Sequence, residues 1–140
     1  MKNTDKKYAG VLLITPEGKV LMQQRDNNPN IMNPELVTTF GGSVEEGETP
    51  EQTAIREMKE EVFLNLSTED ISFFKIFEKN KIIHGEDITC YIYIAKDIDK
   101  NNLVVREGKG FVEISKDDNL NDYKFSILAK EILEDYFSKQ

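Results

Sequence analysis

The sequence predicts an α/β domain in which a mixed central sheet carries one helix on each face. Two stretches of helical periodicity separate groups of short, branched, apolar segments, giving the order ββ-β-α-ββ-β-α. The chain of 140 residues has the size of one domain and shows no repeat and no linker, so a single domain over 1–140 is expected.

Each element has a local cause. Residues 9–15 and 20–24 are apolar and rich in branched side chains, and Pro16-Glu17-Gly18-Lys19 between them reads as the turn of a hairpin. Residues 25–35 carry Asn27, Asn28, Pro29, Asn30, Asn33 and Pro34, a loop composition. Residues 36–40 return as a strand and lead to a Gly41-Gly42 turn. Thr49 then suits an N-cap, Pro50 the first helical position, and Gln52 completes a capping box. Ala54, Ile55, Met58 and Val62 share one arc of that helix, while Glu57, Glu60 and Glu61 share another.

Beyond the helix, 71–78 and 88–96 read as strands joined by a loop at 80–87. Residues 103–106 and 111–114 read as short strands around Glu107-Gly108-Lys109-Gly110. The last helix is expected over 123–137, with Phe125, Leu128, Ile132, Leu133 and Tyr136 at helical spacing and Asn121 or Asp122 as its cap.

Charge and composition narrow the function. The formal charge of −8 argues against nucleic acid or an anionic membrane as a partner. No apolar run approaches the length of a membrane span, and residues 1–8 hold no apolar signal core. The single cysteine, Cys90, excludes an internal disulfide and fits a reducing cytoplasm, the expected location.

Residues 42–64 decide the functional reading, and seven of them are Glu. Like charges on adjacent helical turns repel by a few tenths of a kcal/mol per pair. A solvated acidic face tolerates this, and a bound cation removes it; Mg²⁺ prefers such hard oxygen ligands. The spacing is Gly42, five residues, Glu48, seven residues, then Arg56-Glu57-Met58-Lys59-Glu60-Glu61. This resembles the signature of the Nudix hydrolases, which use a metal to cleave a diphosphate linked to another group X, and whose domains are α/β/α sandwiches.

The resemblance implies roles for matching positions. Glu57, Glu60 and Glu61 would hold metal or act as base, Glu48 would support them, and Arg56 would orient a neighbouring carboxylate. Gly41 matches a position whose carbonyl often binds metal. Glu107 would be a further base or ligand, and Glu113 is a weaker candidate for that place. Phe63 stands where the family pattern has glycine, so either the helix ends differently, with Asn65 as a later cap, or Phe63 enters the core.

Substrate contacts are expected from Arg25, Lys109 and Lys124, against a reading of each as plain surface charge. Tyr91, Tyr93, Phe74 and Phe77 read as core packing before base stacking, and the lone His84 as a loop residue. The expected activity is Mg²⁺-dependent hydrolysis, with Mn²⁺ as a substitute, of a nucleoside diphosphate linked to X: a triphosphate, a nucleotide sugar or a dinucleoside polyphosphate. A homodimer is allowed for. One alternative is a non-catalytic Nudix-fold nucleotide-binding or regulatory module, disfavoured because every carboxylate of the family signature is present. Another is an isomerase resembling the isopentenyl diphosphate type, which needs a reactive cysteine where Cys90 reads as core.

Overall fold

A computed structural model describes residues 6–25, 35–79, 87–105, 110–126 and 128–140. The hairpin forms as expected: β1 (Lys6–Ile14) and β2 (Val20–Gln24) are antiparallel, with Leu13 opposite Leu21 and Ile14 opposite Val20. Gly18, at φ 86°, closes the turn.

The next strand breaks in two. β3 (Val37–Thr38) pairs with β2, and β4 (Phe40–Ser43) crosses to pair antiparallel with β1. Gly41 and Gly42 therefore lie inside a strand and not in the expected turn. The reason is close approach: at Gly41, with φ 151°, a Cβ would stand 2.1 Å from the Ala9 carbonyl oxygen.

α1 (Pro50–Val62) follows, opened by the expected Thr49–Gln52 capping box. Its Thr53, Ala54, Met58 and Val62 are buried against the sheet. β5 (Ser72–Lys79) and β6 (Ile88–Ala95) are antiparallel, with an irregularity between Phe73 and Lys75, and β6 runs parallel to β1. β7 (Phe111–Ile114) pairs with β2. The resulting path is β3-β2-β1-β6-β5, with β4 on β1 and β7 on β2, a mixed seven-stranded sheet.

Strand alternation sends Val11, Leu13, Leu21, Phe40 and Tyr93 to the α1 side, with Ala54, Met58 and Val62. It sends Leu12, Val20, Met22, Ile92 and Ile114 to the other side, where α2 (Ala129–Ser138) supplies Ile132, Leu133, Tyr136 and Phe137. One helix thus covers each face, as the sequence predicts. Phe74 and Phe77 pack with Tyr136 on the α2 side, and Tyr93 meets Phe73 edge-on at 5.5 Å.

Three local expectations fail. Residues 103–105 form no strand; Leu103 instead closes a 3-10 turn over Lys100–Asn102. The last helix starts at Ala129 and not at 123, because Val37 donates to the Lys124 carbonyl and accepts from the Ser126 N–H, holding 124–126 extended against β3. Neither Asn121 nor Asp122 caps that helix, whose N-cap is Leu128 without a side-chain bond; both lie in a 3-10 turn, Leu120–Asp122, capped by Asn119.

Phe63 takes neither of its expected courses. It keeps the left-handed conformation usual for glycine, φ 57° and ψ 30°, and its N–H closes the helix on the Met58 carbonyl while the ring is 54% exposed. For an L-residue that conformation costs about 1–2 kcal/mol. Phe63→Gly should therefore raise stability by about 1 kcal/mol in urea unfolding. An unchanged or lower midpoint would show that contacts of the ring outweigh the backbone strain.

Candidate active site

The carboxylates gather where β4 ends and α1 begins, and Arg56 is their common partner. Its Nε donates to Glu48 Oε2 at 2.6 Å and Nη2 to Glu48 Oε1 at 3.0 Å, a two-pronged grip. Nη1 donates to Glu57 Oε1 at 3.0 Å and to Glu60 Oε2 at 3.1 Å, while Nη2 reaches the Ser43 carbonyl at 3.3 Å. Glu48 is held from two further directions, by the buried Thr53 hydroxyl at 2.6 Å and by the Glu45 N–H at 3.1 Å. These donors, Arg56 first and Thr53 next, pull the Glu48 carboxyl down from 4.5 to about 2.

Glu57 is placed differently. Its carboxylate lies against the β4 backbone, so that a Cβ on Gly42 would stand 2.3 Å from Glu57 Oε1. Burial raises the pKa of this carboxyl, and the charge of Arg56 opposes the rise. Glu61 accepts from the Gly41 N–H at 3.3 Å. Strand β4 thus meets two carboxylates of α1, while Glu60 is the more exposed of the group. Among the described residues, no three acidic, Cys or His side chains stand close enough to hold an ion as they are placed. The donor set itself, carboxylate oxygens supported by backbone, is the type that Mg²⁺ prefers.

Gly41 and Gly42 also line a cavity of about 470 Å³ between the sheet and the start of α2. Ile88, Cys90, Ile92, Leu128 and Ile132 supply its apolar wall, and burial pushes the Cys90 thiol up to about 11. Arg25 lines it too, with its Nε buried and without a hydrogen-bond partner. So does Gln23, which is buried. A buried polar group left unsatisfied costs about 1–3 kcal/mol.

Of the other expected site residues, Glu107 and Lys109 lie outside the described residues, as does the expected loop residue His84. Lys124 is in the extended segment beside β3 and does not line the cavity. Glu113 pairs with Lys100 at 2.7 Å. Gln23 and Thr53 were not singled out from sequence. The available signal was a polar residue ending the apolar run Val20-Leu21-Met22, and a hydroxyl one turn after the Thr49 cap.

The depressed Glu48 carboxyl contributes stability that is present above about 4.5 and lost as pH falls through about 2. In metal-free buffer, Glu48→Gln should therefore be less stable than the native protein near neutrality, with the gap closing as the pH is lowered through that window. A gap in urea midpoints that stays constant down to the acid limit would remove the Glu48–Arg56 pair as its source.

The family model described as NUDIX domain matches residues 5–135. Among solved structures, a MutT NUDIX hydrolase from Burkholderia pseudomallei is similar, at 20% identity and TM-score 0.75, over 93% of this chain and 96% of that one. The dihydroneopterin triphosphate pyrophosphohydrolase of E. coli is similar at 21% identity and TM-score 0.70, over 96% of each chain. A bifunctional NMN adenylyltransferase/ADP ribose pyrophosphatase from Francisella tularensis, complexed with AMP and a manganese ion, matches at 20% identity and TM-score 0.74, over 99% of this chain and 42% of that one. Likeness at these identities concerns the fold. No curated protein matches the chain. The match over residues 5–135 carries the assignment: the chain belongs to the NUDIX domain family.

Proposed function

We propose that the protein is a Mg²⁺-dependent pyrophosphohydrolase that cleaves a nucleoside diphosphate linked to another group. The observation that carries this reading is the seating of Glu57 and Glu61 on the two glycines of β4, which line the adjoining cavity as well. A substrate lying across β4 would bring its phosphates to the carboxylates and its remaining part into the cavity. Two structural neighbours are named for phosphoanhydride compounds: one for ADP ribose, a nucleoside diphosphate joined to a sugar, the other for dihydroneopterin triphosphate, in which a pterin stands in place of a nucleoside.

Glu57, Glu60 and Glu61 would hold the metal, with Glu48 and the Gly41 carbonyl in support. When bound, the ion supplies positive charge to the phosphate oxygens and makes its bound water more acidic. Arg56 would keep its grip on Glu48 and yield Glu57 and Glu60 to the ion. Arg25, Lys109 and Lys124 would contact the phosphates. A carboxylate, either one of the signature in residues 42–64 or Glu107, would take the proton from the attacking water. The water oxygen forms a bond to phosphorus as the bridging oxygen leaves, giving two phosphate-ended products.

The direct test is an assay in Mg²⁺ over nucleoside triphosphates, nucleotide sugars and dinucleoside polyphosphates. Phosphorus NMR in oxygen-18 water then shows which phosphorus is attacked. Binding of nucleotides without turnover would favour the non-catalytic module instead. Glu60→Gln should lower turnover by a factor of about 10² with the fold intact; near-native turnover would take Glu60 out of the metal site. Gly42→Ala puts a methyl where Glu57 lies, and a misplacement on the order of 1 Å can cost about 10²-fold. Its turnover should fall by that order with its unfolding midpoint little changed, and full activity would show that the seat of Glu57 is immaterial.

A further inference from the structure

Thr53 is fully buried on α1, and its hydroxyl stands 2.6 Å from Glu48 Oε1 and 3.1 Å from the Thr49 carbonyl. A hydroxyl has one proton to give, and the shorter contact, to a charged acceptor, takes it. Glu48 Oε1 also accepts from the Glu45 N–H at 3.1 Å and from Arg56 Nη2 at 3.0 Å, while Oε2 accepts from Arg56 Nε at 2.6 Å. Four donors thus meet the roughly four lone-pair sites of one carboxylate. Thr53 also begins a column on α1: Glu57 and Glu61 follow at i+4 and i+8, and both lie against β4.

We propose that Thr53 is a positioning residue for the metal: by fixing Glu48 it anchors Arg56, so that the guanidinium releases Glu57 and Glu60 to an incoming cation. It rests on the proposed reaction for the place of the ion. Arg56 divides its donors between Glu48, through Nε and Nη2, and the pair Glu57 and Glu60, through Nη1 alone. A Glu48 carboxylate held only by the Glu45 N–H and Arg56 swings with the guanidinium, which then leans on the side chains that the ion must take. A Glu48 pinned from the buried side as well keeps the guanidinium back. Residues that orient ligands from behind commonly change metal affinity by about 10- to 100-fold when lost.

The test is Mn²⁺ binding to the full chain without substrate, followed by loss of the free-ion electron paramagnetic resonance signal. Thr53→Val keeps the branched shape and removes the hydroxyl, and its Kd for Mn²⁺ should rise about tenfold. Thr53→Ser keeps the hydroxyl and drops the methyl, and should stay within about threefold of the native value. In Glu48→Ala the hydroxyl has no carboxylate to hold, so adding Thr53→Val should change the affinity by less than about twofold. Native affinity in Thr53→Val would overturn the proposal, as would a native chain that takes up no Mn²⁺. A Ser variant as weak as the Val one, or the same Val penalty with and without Glu48, would overturn it too and leave Thr53 a packing residue. The expected binding pattern without hydrolysis of any phosphoanhydride would sink the proposed reaction and leave the role of Thr53 standing. Hydrolysis by the native chain, with Mn²⁺ affinity indifferent to Thr53→Val, would sink the role of Thr53 alone.

Discussion

The grip of Arg56 on Glu48, Glu57 and Glu60 is what allows so many carboxylates to share one end of α1. Hydrogen bonds between charged partners are roughly twice as strong as neutral ones, and the two-pronged contact adds direction. Glu48 is the fixed side of this arrangement, since Thr53 and the Glu45 N–H hold it independently of Arg56. The contacts to Glu57 and Glu60 are single bonds from one nitrogen, the side that a competing cation can take over. One guanidinium therefore ties the 44–49 loop to the helix and balances the acidic face.

A second constraint is the thinness of β4. Glu57 can lie on the strand only because Gly42 has no side chain, and β4 can pair with β1 only because Gly41 has none. The two glycines also border the cavity, so the acidic helix and the cavity are separated by little more than one strand of backbone. A ligand long enough to contact both would have its charged portion and its apolar portion in chemically different surroundings. That contrast, oxygen-rich on α1 and apolar on the α2 side, fits a molecule that joins phosphates to a ring.

Much of this was legible in the chain. The capping box from Thr49 to Gln52, the apolar arc through Met58 and Val62, and the hairpin at Gly18 form as expected because their causes lie within a few residues of one another. The readings that failed depended on distant partners. Gly41-Gly42 looks like a turn until Ala9 and Gly10 stand against it. Residues 124–126 look helical until Val37 takes their backbone groups. Phe63 shows a third kind of failure: the helix end imposed its geometry on a residue poorly suited to it, because the Met58 carbonyl needed a donor and the chain had to turn there.

The sequence by itself determined the class of the domain, the start of α1, and which side chains share its acidic face, since helical periodicity and end-capping are local physics. It also carried the Nudix spacing, a pattern along one segment. Only the tertiary structure decided that Glu57 is desolvated against Gly42, that Glu61 meets Gly41, and that Gln23 and Arg25 border one cavity. Those facts come from strands far apart in the chain packing within a few ångströms, where excluded volume and unsatisfied hydrogen bonds act between residues whose spacing along the chain carries no trace of the contact.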